Sequence, residues 1–158
     1  MTLSLIRKTA ALAGFGVALV ACASGPAPDA RAAIEQVLSN YETALNASDV
    51  DGVMRLYAQD GVFMPQHSPS SIGAGEVRAA YQAVFEAITL SITFDIAEIE
   101  PIASNWAFAR TNSAGTVRIA ATGAESPEAN QKLFIFQKID GDWKIARYSF
   151  STTNPTRQ

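Results

Sequence analysis

From Ile34 to Leu45 the apolar positions Ile34, Val37, Leu38, Tyr41 and Leu45 recur at helical spacing, predicting a helix opened by Asp29 and closed near Ala47. Asp49 or Asp51 then caps a second, short helix whose Val53, Leu56 and Tyr57 face inward. Residues 61–65 read as a short buried strand, and residues 66–75, rich in Ser, Gly and Pro, as a loop. A third helix over residues 76–88 buries Val77, Tyr81, Val84, Phe85 and Ile88.

Beyond that point the period changes to two. Ile92, Phe94 and Ile96 alternate with polar residues as in a half-buried strand, residues 106–119 form a long strand, and residues 131–139 another. Asp140-Gly141 is a type I′ hairpin signal leading into a last strand over residues 142–152. Helices first and strands later predict an α+β domain with helices on one face of a mostly antiparallel sheet. Leu133 and Ile135 oppose Phe134 and Phe136, so the sheet is apolar on both faces; the helices cover one, and a second copy of the chain is the expected cover for the other.

The first residues follow a different pattern. Arg7 and Lys8 precede an apolar stretch from Ala10 to Ala21 broken only by glycines, which reads as the charged and hydrophobic regions of an export leader and is too short to span a bilayer. It ends in Leu19-Val20-Ala21-Cys22, which resembles the lipobox of bacterial lipoproteins. That resemblance implies acylation of Cys22, cleavage that leaves it as the new N-terminus, and attachment to a membrane, where several acyl chains hold firmly. Ala23 after Cys22 favours the outer membrane by resemblance to the sorting rule of enteric bacteria. The expected organisation is a signal peptide over residues 1–21, a lipidated Cys22 with a flexible tether to residue 29, one domain over residues 30–153, and a short tail.

Charge and composition narrow the chemistry. Two of the 12 basic residues lie in the leader, so the remainder carries 10 Lys and Arg, never in a run, against 15 Asp and Glu. That balance repels phosphate backbones and excludes nucleic acid as an expected partner. One cysteine and one histidine leave no internal disulfide and no soft-ligand metal cluster, and no cofactor is expected. Asp49-Val-Asp51-Gly52 lacks the remaining ligands of a calcium loop, and helix capping explains it better. Asn46-Ala-Ser48 has the form of a glycosylation sequon but falls at a helix end.

The run from Tyr41 to Gly52, then Leu56-Tyr-Ala-Gln-Asp60, Val62-Phe-Met-Pro65 and the closing Phe134 to Arg147, resembles the SnoaL-like and ketosteroid-isomerase-like proteins of the nuclear-transport-factor-2-like superfamily. The resemblance covers residues 30–152. It implies a cystatin-like cone, a curved sheet wrapped on N-terminal helices around an apolar cavity, often dimeric through the sheet. It does not name an activity, because this fold hosts many. Steroid isomerases of this kind use a tyrosine on the first helix, an aspartate base at the end of the first strand and a protonated acid deeper in the cavity. Tyr41 matches the tyrosine; Met64 stands at the base position and cannot take a proton. Residues 117–122 offer only Arg118 where the buried acid is expected.

Candidate site residues follow from type and position. Tyr41 is the expected hydrogen-bond donor, and His67, in the loop after the first strand, the expected general base. Tyr57, Met64 and Trp106 are expected to line a ligand site. Arg110 follows Trp106 and Phe108 at period two with Asn112 beside it; a cavity-facing Arg110 holds a carboxylate or polarises a carbonyl, whereas an outward one is a surface or dimer residue, and a bulge decides which. The expected function is binding of a small apolar or amphipathic molecule. The alternatives are an isomerase, cyclase or hydrolase acting on a carbonyl substrate, and a dimeric interaction module.

Overall fold

The structure is a computed structural model that describes residues 30–155; the leader, Cys22 and the tether lie outside the described residues. Helix α1, Ala30–Asn46, buries the predicted stripe, with Ile34, Leu38, Tyr41 and Leu45 at its centre. Helix α2, Val50–Leu56, is capped by Asp49, whose side chain accepts the Gly52 N–H at 2.8 Å. Asp51 is left for an ion pair with Arg78 on the next helix, 2.6 Å away, and that pair lowers the Asp51 carboxyl through the Arg78 hydrogen bond and charge.

Tyr57 opens strand β1, Tyr57–Met64, rather than closing α2. The expected loop contains strand β2, Ser71–Ile72, paired antiparallel to β1, and helix α3, Gly73–Ala87, starts three residues before the apolar pattern does. A glycine-rich first turn hides that start in the sequence. The Glu76 carboxylate secures it by accepting the Ile72 N–H at 2.8 Å.

Strands β3, Ile88–Ala103, β4, Trp106–Ile119, β5, Glu125–Ile139, and β6, Asp142–Thr152, complete a curved six-stranded sheet ordered β2-β1-β6-β5-β4-β3. Only β1 and β6 run parallel. Asp140 and Gly141 take positive φ, 52° and 94°, as a type I′ turn requires. Edge strand β3 turns its free backbone toward α1, where the Asn46 amide bonds both the N–H and the C=O of Ile92, at 2.9 and 2.8 Å, and Glu42 accepts the Phe94 N–H. A row of rings crosses the sheet floor beneath α1: Phe63 on β1, Tyr148 on β6 and Phe134 on β5 stack face to face, with centroids 5.5 and 4.4 Å apart.

Bulges fix which face each side chain joins. They fall between Tyr57 and Val62 in β1, at Ala97 and between Pro101 and Ala103 in β3, and at Ala146 in β6, while β4 and β5 pair without a shift from Trp106 to Arg118. Parity on β4 is therefore unbroken. Ala107, Ala109, Thr111 and Ser113 point under the helices, and Trp106, Phe108, Arg110 and Asn112 take the outer face.

Candidate functional site

Between α1, α3 and the concave face of the sheet lies a cavity of about 270 Å³. Leu45, Val84, Ile88, Leu90, Ile92 and Val117 form its apolar wall, and Phe63, Phe150, Tyr41, Tyr81 and Tyr148 contribute rings. A hydroxyl chain runs along one side: Tyr41 bonds Tyr81, and Tyr57 bonds Tyr81 at 3.0 Å. Burial pushes the hydroxyls of Tyr41, Tyr57, Tyr81 and Tyr148 well above the usual phenol value. They stay neutral at physiological pH. Tyr148 joins this cluster through a hydrogen bond with Tyr41.

The opposite wall is polar. Glu128, Asn130 and Lys132 alternate along β5 with the same parity as Phe134 and Phe136, so all three reach the cavity. Ser113, across the ladder on β4, has its hydroxyl 2.9 and 3.0 Å from the two Glu128 oxygens. Lys132 donates to Ser113 Oγ, and the Asn130 amide donates to Glu128. Lys132 Nζ lies 3.5 Å from Glu128 Oε1 and 5.1 Å from the Phe94 ring centroid. Burial depresses the Lys132 ammonium below its ordinary value, while the Glu128 charge and hydrogen bond pull it back up. Glu128 in turn helps raise Tyr148, after burial and Tyr41. Gly115 is the register partner of Glu128 in the β4–β5 ladder.

The sequence candidates divide between the two faces. Tyr41 lines the cavity, and Tyr57 is tied to it through Tyr81. Met64, Ser149, Leu133 and Arg110 make one row across β1, β6, β5 and β4, and this row lies on the outer face. Met64 is therefore absent from the cavity lining, where its neighbours Phe63 and Pro65 appear. Arg110 pairs with Glu98 across the β3–β4 ladder, exposed, and Asn112 and Trp106 share its parity, so none of the three lines the cavity. His67 is exposed, at φ 62°, with Nε2 3.1 Å from the Gln66 amide, and is not among the cavity residues. A Tyr41–His67 acid–base pair is not assembled. Among the described residues, no group of three or more His, Cys, Asp and Glu side chains is placed to hold a metal.

A cone of this topology, closed by three helices around an apolar cavity, is the geometry expected of the family named above, and residues 34–155 match the SnoaL-like domain. The chain belongs to the SnoaL-like family. A ketosteroid isomerase-like protein from Erwinia carotovora atroseptica SCRI1043 is 36% identical, with a TM-score of 0.76 over 78% of this chain and 96% of its own. An NTF-2 like protein from Shewanella oneidensis MR-1 is 22% identical, with a TM-score of 0.64 over 77% of this chain and 98% of its own. A hexachlorocyclohexane dehydrochlorinase, LinA type 2, is 12% identical, with a TM-score of 0.70 over 78% and 85%. The last two likenesses are of fold. None of the curated proteins matches the chain.

In this SnoaL-like domain the carboxyl group on the cavity wall is Glu128 of β5, outside residues 117–122. Glu128 escapes a sequence reading that starts β5 at residue 131, because Pro127 interrupts the pattern. Pro127 is tolerated there because the β6 ladder reaches β5 only from Asn130 onward, leaving one side of β5 free of ladder bonds. The usable signal is parity: counting back by twos from Phe134 lands on Lys132, Asn130 and Glu128.

Proposed function

We propose that the domain binds a small, mostly apolar molecule in this cavity and holds the polar end of that molecule between the tyrosine hydroxyls and the Glu128 cluster. The observation that carries this reading is the lining itself: an apolar wall of about 270 Å³ interrupted by a few convergent polar groups, as small-molecule sites are built. Tyr41 supplies a neutral donor for a carbonyl or hydroxyl oxygen, and Asn130 supplies an amide. The test is titration of the purified protein with steroids, aromatic ketones and fatty acids, followed by amide and side-chain NMR. Shifts confined to Tyr41, Tyr148 and Glu128 support the reading; shifts centred on Trp106 and Arg110, on the other face, sink it.

A second reading is favoured by Glu128, a carboxylate on the wall of an apolar cavity. There it acts as a general base, removing a proton next to a carbonyl while Tyr41 donates to the developing oxyanion. This is the class of chemistry to which the ketosteroid isomerase-like relative points. Deuterium exchange of α-protons in ketones that bind, abolished in Glu128→Gln, tests it; no exchange above the buffer rate rules it out.

We further propose that Cys22 is acylated, holding the cavity at the membrane surface of the cell envelope. Its support is the leader pattern around Arg7, Lys8 and Leu19-Val20-Ala21-Cys22. Palmitate labelling that disappears in Cys22→Ser tests this. Pairing of two copies through the outer sheet face is the companion proposal, supported by Leu133, which is 42% exposed there, and it is tested by sedimentation.

A further inference from the structure

Among the residues that line the cavity, Glu128 and Lys132 are the charged ones, and each is the partner of the other. Their side chains are 10% and 2% exposed, so water does little to screen them. Ser113 and Asn130 complete the hydrogen bonding around Glu128, and Ser113 also receives the Lys132 ammonium. The other ionisable groups facing this space are the hydroxyls of Tyr41, Tyr81 and Tyr148, which stay neutral. The cavity is thus internally neutralised before any guest arrives.

We propose that the Glu128–Lys132 pair sets ligand class: it makes the cavity selective for uncharged molecules, apolar bodies ending in a ketone, aldehyde or hydroxyl group, and excludes acids and amines of the same shape. This rests on the binding reading above. A carboxylate guest meets Lys132 already compensated and Glu128 of like charge; an ammonium guest meets the converse. Either brings a third charge into a site that balances two, and a buried charge without a partner is unfavourable. A carbonyl oxygen needs only donors, which the tyrosine hydroxyls and Asn130 provide. The same logic predicts how the preference moves. Glu128→Gln leaves Lys132 without a counter-charge, so an acid can take the carboxylate's place; Lys132→Met leaves Glu128 for an amine.

The experiment uses three probes with one phenylalkyl body: benzylacetone, hydrocinnamate and phenylpropylamine, each titrated calorimetrically into the purified protein at neutral pH. The expected result is that benzylacetone binds the native protein at least about tenfold more tightly than either charged probe. Hydrocinnamate gains about tenfold in Glu128→Gln, and phenylpropylamine gains similarly in Lys132→Met. The native comparison stands even where a variant folds poorly. Equal affinities for the three probes, or tighter binding of a charged one to the native protein, overturn charge selection and leave cavity binding intact. Failure of all three to bind overturns this inference together with the binding reading.

Discussion

Lys132 and Glu128 stand four residues apart on β5, on the same face of the strand, with Nζ 3.5 Å from Oε1 under the roof of helices α1 and α3. Four residues is two strand repeats, so parity alone brings them together; burial then makes their charges interdependent.

Breaking this pair from one side is expected to be costly. Lys132→Met leaves a buried carboxylate without its cation and destabilises the fold by about 3 kcal/mol, whereas adding Glu128→Gln to it recovers most of that loss. A double-mutant cycle by urea unfolding measures the coupling. Additive single and double effects contradict an interdependent pair.

The chain has four tyrosines, and the hydroxyls of Tyr41, Tyr57, Tyr81 and Tyr148 are all raised chiefly by burial. Folded values above the unfolded value near 10 mean that the unfolded chain gives up these protons first. Their contribution to stability is therefore fully present below about pH 10 and is lost as pH rises from there toward the folded values. Tyrosinate absorbance is expected to stay flat until the protein unfolds in alkali and then to appear in one cooperative step. Gradual ionisation of one tyrosine in the folded state contradicts the buried cluster.

Within that cluster Tyr81 is the shared partner. Tyr81→Phe removes the hydrogen bonds to both Tyr41 and Tyr57, costing about 2 kcal/mol, while Tyr57→Phe removes the one to Tyr81 and costs about 1 kcal/mol. Melting and urea curves of the two variants give the order. Equal losses contradict a chain centred on Tyr81.

At Gly115 a Cβ would fall 2.1 Å from the Ser91 carbonyl oxygen on the facing strand. Gly115→Ala must push β3 away from β4 beside Glu128, and about 2 kcal/mol or more of stability is expected to go with it. Retention of native stability in that variant contradicts the close approach of the two backbones.

The helices and the closing hairpin were legible because their signals are local. The stripe Ile34–Leu38–Tyr41–Leu45 on α1 and the Asp140-Gly141 turn each need only neighbouring residues to be read. The site was less legible because it depends on relationships across the sheet. His67 follows the end of β1 in sequence, but its backbone turn and exposure keep it apart from Tyr41. The face of Arg110 hung on where bulges fall; they occur in β1, β3 and β6, and β4 has none. Glu128 was hidden behind Pro127, which reads as a strand breaker until the short reach of the β6 ladder is known.

Occupation of the cavity by a small molecule is tested by melting the native protein and a Val84→Trp variant against the same panel of steroids, aromatic ketones and fatty acids. Val84 lies on the cavity wall, and an indole there fills the space. A ligand at 100 times its Kd adds about 2.7 kcal/mol, several degrees for a domain of this size. Such a shift is expected for one chemical class with the native protein and none with Val84→Trp. A flat response across the panel, or a shift that survives in Val84→Trp, contradicts occupation of the cavity.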